Sequence, residues 1–304
     1  MIEFKEVSYG GWSTCYQVSN GIIDLIITGE VGPRIIRLGF NDGPNQFCNV
    51  DEDLGKTGGD EWLMYGGHRF WHAPEDEVRT YYPDNVPVTV EENNGIVTIT
   101  QPTETTTGLQ KQIILTMNPD SAQVKVTHKL TNHSPFAITC APWALSVMRP
   151  GGKAILPLPP RGSHPEDLLP VNSLIMWSYD DMSDPRWTWG KRFILLSQDV
   201  NNAQPQKLGA SIPDGWVAHL NDGVLFVKQF DIFPEATYPD MGSHGEVFTN
   251  DYMLELETVG VLGPIEPESS AEHTETWNLF QGVGAVSNDA DVEANVLPKV
   301  ESIK

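Results

Sequence analysis

VPVTVEENNGIVTIT (86–100) is the stretch that decides the fold class. Two runs rich in β-branched residues flank Asn93-Asn94-Gly95, which supplies the positive φ of a tight hairpin turn at little steric cost. The same pattern recurs along the chain. LQKQIILTMNPDSAQVKVTHKLTN (109–132) reads as a hairpin turning at Asn-Pro-Asp-Ser, and GWVAHLNDGVLFVKQFD (215–231) as another turning at Asn221-Asp222-Gly223. In the 109–132 hairpin Val124, Val126 and His128 share one face and Lys125, Thr127 and Lys129 the other. IIDLIIT (22–28), RIIRLGF (34–40), FAITCAPWALSVM (136–148), KRFILLS (191–197), YMLELETVG (252–260) and AEHTETWNLF (271–280) read as further strands. Helical periodicity is nearly absent; short turns are expected at 59–65 and at 164–169, where Pro165 suits a first helical turn. The expectation is an all-β chain, a large antiparallel β-sandwich with decorated loops at 41–85 and 149–190. It forms a single domain over 1–304, with a mobile tail or an edge covering from about Gly282.

Charge and composition narrow the function. The chain has 304 residues, with 41 Asp+Glu against 19 Lys+Arg and a formal net charge of −22. That argues against a nucleic-acid partner and against docking on anionic lipid. A hydrophobic content of 39% with nine Trp is enough for a large core. No apolar run approaches the ~18 residues of a membrane span, and the opening MIEFKEVSYGG has neither the basic nor the apolar region of a secretory signal. A cytoplasmic location is expected. The three cysteines, Cys15, Cys48 and Cys140, are scattered and form no CxxC pair, so neither a disulfide framework nor a zinc site is indicated.

Three constellations could carry chemistry. YGGHRFWHAPEDE (65–77) crowds His68, Arg69, Trp71, His72 and Glu75 into one loop. A cation, an aromatic plate and imidazoles suit a polyhydroxylated ligand, whose C–H faces stack on Trp while its hydroxyls need paired polar groups. His68 and His72 are four apart, but no third ligand follows at short range, so no metal is assigned. In MLELETVG, Glu255 and Glu257 stand at i and i+2 and share one face of a strand. Such a pair either faces solvent or converges on a cleft; in the second case a partly desolvated Glu257 at the strand end is expected to have a raised pKa and to serve as a general base. VGPRIIRLG places Arg34 in an apolar strand, and LFVKQFD does the same with Lys228. Each needs an acidic partner or a ligand. P-loops, nucleophile elbows and dinucleotide fingerprints are absent.

IIDLIITGEVGPRIIRLGF, YGGHRFWHAPE and YMLELETVGVLGPIEPESSAEHTETWNLF together resemble the galactose mutarotase-like superfamily, the aldose-1-epimerase β-supersandwich, in a branch of roughly 300 residues. The resemblance implies that Glu257 is the catalytic base and that WALSVMR is the strand carrying the family's acid histidine, with Ser146 at that position. It implies a mutarotase that interconverts sugar anomers by general acid/base catalysis and uses no cofactor. Glu257 is then the base and His68 the acid, with Arg34, Arg69, Trp71, His72, Lys228 and Glu255 orienting a small-molecule sugar. Two rival readings stand beside it. Ser146 favours a non-catalytic sugar-binding protein on the same fold. Arg34, Arg69 and Lys228 would suit a lyase or hydrolase acting on an acidic sugar.

Overall fold

The computed structural model describes residues 2–303. Its strands, in chain order, begin with β1 (Glu3–Tyr9), β2 (Trp12–Ser19), β3 (Ile23–Thr28), β4 (Arg34–Phe40), β5 (His68–Ala73), β6 (Thr89–Asn93) and β7 (Ile96–Thr100). β8 (Leu109–Met117), β9 (Gln123–Asn132), β10 (Ile138–Met148), β11 (Lys153–Pro157), β12 (Leu174–Met176), β13 (Trp187–Trp189) and β14 (Phe193–Ser197) follow. The last are β15 (Gln206–Ala210), β16 (Trp216–Asn221), β17 (Val224–Phe230), β18 (Gly245–Thr249), β19 (Leu254–Val259), β20 (Gly263–Ile265) and β21 (Ser270–Phe280).

They pair into two antiparallel sheets. The first runs β1-β2-β3-β4-β5-β10-β19-β18-β15-β12, with β20 also on β10; the second runs β13-β14-β11-β16-β17-β21-β9-β8-β7-β6. The main core lies between them. Leu25, Phe70 and Leu256 of the first sheet pack with Ile113, Val126, Phe226 and Trp277 of the second. Each such side chain contributes about 1.5–3 kcal/mol on burial. The expected large antiparallel β-sandwich is the architecture found.

The turn chemistry acts as the sequence predicts. Asn94 (φ 53°) and Gly95 (φ 83°) form a two-residue loop between the paired Asn93 and Ile96, and Asp222 (φ 48°) and Gly223 (φ 75°) do the same between Asn221 and Val224. Both central residues have positive φ, the arrangement whose twist matches the flanking strands.

Three expectations are corrected. The 59–65 stretch has no helical turn, and 164–166 is only a turn. The helices are instead α1 (Asp289–Asn295), N-capped by Asn288, and α2 (Leu297–Glu301). The segment from Gly282 is therefore no mobile tail. Val292, Val296 and Val300 are spaced one helical turn apart, and they cover Phe193, Trp216 and Leu225 on the outer face of the second sheet. The third correction matters most for function: His68–Ala73, expected in a loop, is strand β5 between β4 and β10. It is buried on both faces, so its polarity does not alternate. Gly66 and Gly67, both at positive φ, bring the chain into it; a Cβ on Gly66 would lie 2.1 Å from the Cys48 carbonyl oxygen, and on Gly67 2.5 Å from that of Ile35. These glycines serve backbone approach rather than a ligand. No helix among the described residues is long and apolar enough to cross a membrane.

Candidate functional site

Strand alternation divides β5 between two surfaces. His68, Phe70 and His72 point toward the second sheet, and Arg69 and Trp71 point outward. The neighbouring strands repeat the division. Trp143, Leu145 and Val147 of β10, Glu255 and Glu257 of β19, Glu246 of β18 and Lys207 of β15 take the outer side. Register sets Arg69, Leu145, Glu257 and Glu246 in one row across four strands.

On this outer face lies a cleft of about 200 Å³. Trp62, Trp71, Tyr81, Trp143 and Tyr179 wall it, and Arg69, Leu145, Lys207 and Glu255 form its floor. Arg69 Nη1 lies 2.6 Å from Glu255 Oε1, and its guanidinium stacks 4.3 Å from the Trp71 ring and 5.5 Å from that of Trp62. Lys207 Nζ lies 2.9 Å from Glu246 Oε2 and 3.3 Å from Glu257 Oε2, and 4.7 Å from the rings of both Trp143 and Trp177. Both cations are thus clamped between carboxylates and π-faces.

Glu257 is fully buried directly beneath Trp143 and Lys207. The Trp143 indole N–H donates to its Oε2 at 2.9 Å, while Oε1 has no partner. Burial pushes its carboxyl up, to about 8; Glu246 and Glu255 push the same way and Lys207 opposes them. Burial alone would lower the Lys207 ammonium, but Glu246 and Glu257 outweigh it and hold Lys207 well above its ordinary value. The two directions agree once the distances are compared. Glu246 is the nearer counter-ion of Lys207, so Glu257 is the carboxyl better able to keep a proton.

Of the residues singled out by sequence, Arg69, Trp71 and Glu255 line the cleft and Glu257 lies under it. Four others do not reach it. Arg34 is fully buried, with Nη2 2.7 Å from Asp84 Oδ2 and Nη1 donating to the Gly66 carbonyl at 2.6 Å. Lys228 lies between the sheets, 2.9 Å from Glu275 Oε1 and donating to the Leu256 carbonyl at 3.0 Å. His72 also turns inward, and burial depresses it to about 3. His68 faces away from Glu257, on the opposite side of the sheet, so it cannot act with Glu257 on one ligand. For the two histidines the physical reason is the strand itself: a loop could have turned them the same way as Arg69 and Trp71, whereas a strand alternates them.

His68, Ser146 and His128, all inward, form a hydrogen-bonded chain, whereas the buried Nε2 of His72 has no partner among the described residues. His128 Nδ1 donates to the His273 carbonyl at 3.1 Å, so its Nε2 accepts from His68 Nε2 at 2.7 Å, and His68 Nδ1 accepts from the Ser146 hydroxyl at 2.8 Å. Burial holds both imidazoles neutral, with His68 far below its ordinary value and His128 at about 4. His68, His128 and Glu275 could each offer one ligand atom, all within 4.8 Å of one another. Yet the two ring nitrogens sit closer than the ~3.3 Å spacing that tetrahedral zinc ligation implies. Glu275 is already engaged by Lys228, Trp277 and Thr258. Proton order explains the cluster without an ion. Ser146 belongs to this network; the residues of β10 that line the cleft are Trp143 and Leu145.

Sequence reasoning missed Lys207, Glu246, Trp143 and Trp62. Lys207, in AQPQKLGAS, sits in no apolar run, so the signal that drew attention to Arg34 was absent there.

No protein-family model and no curated protein matches the sequence. Solved structures do match. A galactose mutarotase-like protein from Clostridium acetobutylicum is 10% identical, with TM-score 0.55, over 92% of this chain and 99% of that one. One from Lactobacillus casei is 12% identical, with TM-score 0.55, over 88% and 100%. The chain has the galactose mutarotase-like fold. The same fold occurs within larger proteins: a TPR-domain-containing protein from Parabacteroides distasonis matches with TM-score 0.58 at 12% identity, over 90% of this chain and 48% of that one. This chain thus spans about half the length of that relative. In the mutarotase-like fold as built here, the outer face of the first sheet carries the cleft.

Proposed function

We propose that this chain is a carbohydrate-binding protein of the mutarotase-like fold, and that its cleft recognises a sugar or sugar derivative. The observation that carries the reading is the floor of the cleft: Arg69 paired to Glu255 and stacked on Trp71, inside a ring of aromatic side chains. Rings accept sugar C–H faces, and the fixed ion pair offers a donor and an acceptor to vicinal hydroxyls. Anomer interconversion needs two proton-transfer groups on opposite sides of the hemiacetal. No histidine lines the cleft, Lys207 holds its proton too firmly to be a good acid, and Glu257 is shielded by Trp143 and Lys207. The same reading carries a single-domain chain, a cytoplasmic location and no cofactor.

A mutarotase is the second reading, favoured by the raised Glu257 carboxyl and its unpartnered Oε1. Glu257 would then exchange the proton of the anomeric hydroxyl after Trp143 and Lys207 move aside.

Calorimetric titration with common aldoses, followed by polarimetry of freshly dissolved anomers, separates the readings. Binding without acceleration over buffer supports the first. Acceleration that Glu257→Gln reduces by ~10²–10⁴ supports the second. If no sugar binds, both fall.

A further inference from the structure

The cleft has an unusual charge balance. Its two cations carry no free charge: Arg69 is matched by Glu255 at 2.6 Å, and Lys207 by Glu246 at 2.9 Å with Glu257 beside it at 3.3 Å. Their π-facing sides are covered as well, by Trp71 for Arg69 and by Trp143 and Trp177 for Lys207. An anionic ligand would have to displace a buried carboxylate from one of these cations, leaving that carboxylate desolvated and unpaired. The other two cations named from sequence, Arg34 and Lys228, are buried outside the cleft in pairs of their own. A further carboxylate, Glu75, stands on the rim. It accepts from the Tyr81 hydroxyl at 2.6 Å and has no ion-pair partner among the described residues. The exposed rings of Tyr81 and Tyr179 flank the opening. Carboxylate and π-face together make a good environment for an ammonium group. Beyond the cleft, the net charge of −22 gives the surroundings a negative field.

We propose that the cleft selects an amino sugar carrying a free ammonium group and excludes phosphorylated and uronic sugars, with Glu75 and the flanking tyrosine rings receiving the ammonium. The inference rests on the sugar-binding reading above and names the ligand class within it. It opposes the acidic-sugar reading, because the basic residues that suggested it are either absent from the cleft or paired with carboxylates there.

The test is a titration series on the full chain by calorimetry or ligand-observed NMR, at low and at high salt. The probes are glucosamine and galactosamine, glucose and galactose, the two 6-phosphates, and the two uronates. The amino sugars should bind at least about tenfold more tightly than the parent sugars, and that margin should shrink with added salt. The phosphates and uronates should bind more weakly than the parents. Glu75→Gln should narrow the margin between amino and parent sugar. If an anionic sugar binds best, or if the amino and parent sugars bind equally, this proposal is overturned while the sugar-binding reading stands. If none of the eight binds, that reading fails and this one with it.

Discussion

Acidification should unfold this protein through its buried histidines. Burial holds His128 at about 4, holds His72, His219 and His273 each at about 3, and holds His68 well below its ordinary value. In the unfolded chain each titrates near 6.5. Between pH 6.5 and about 4 the unfolded state therefore binds more protons, and stability falls with pH. Two groups act the other way, because burial raises them in the folded state: Glu257 to about 8 and Asp240 to about 6. Five histidines against two carboxyls leave a net uptake of about three protons near pH 5, or about 4 kcal/mol lost per pH unit. A domain with the ordinary 5–15 kcal/mol cannot survive that for long, so the acid midpoint should lie at about pH 4–5. At pH 6.5 about half of the five unfolded imidazoles still carry a proton, which outweighs the one held by Glu257, so stability goes on rising to about pH 7. Above that Glu257 keeps a proton that its unfolded counterpart has lost, and stability should decline only slightly, by less than about 1 kcal/mol toward pH 8. Urea melts followed by tryptophan fluorescence at constant ionic strength, from pH 4 to 8, would trace this curve with its maximum near pH 7. Stability that stays flat from pH 6.5 to 4.5 refutes the reasoning. So does an NMR titration in which His68, His128 or His273 of the folded protein ionises near 6.5.

Lys228→Ala should cost about 3–5 kcal/mol in denaturant melts, because it leaves Glu275 charged and buried without its counter-ion. Trp71→Ala should weaken binding of any sugar that the wild type binds by about 1–2 kcal/mol, through lost stacking, as read by calorimetry. Ser146→His should add no anomer interconversion and should cost about 1–3 kcal/mol of stability, because it overfills the space between the sheets.

The fold class was legible from turns and periodicity. Asn94-Gly95 and Asp222-Gly223 adopt the positive-φ pairs that their types favour, and the β-branched runs around them are strands. This information is local, so it survives reading one segment at a time. β5 was not legible, because a strand buried on both faces shows no alternation of polarity. The C-terminal helices were missed for a related reason: their stripe is three valines, Val292, Val296 and Val300, and gains meaning only against the sheet it covers.

For the site, the sequence alone determined that Glu255 and Glu257 share a face, a relation that follows from a period of two within one strand. Only the tertiary structure decided that Arg69 and Trp71 stand on a strand and face the same surface, that Lys207 and Glu246 join them, and that His68, His72 and Lys228 lie on the other side of the sheet while Arg34 is buried in an ion pair of its own. Pairing register and the stacking of two sheets are set by contacts between residues far apart in the chain, such as the Gln123–Asn278 pairing and the Phe47–Trp277 ring contact. A single side chain's partner, and with it the charge it can offer a ligand, is decided by those contacts.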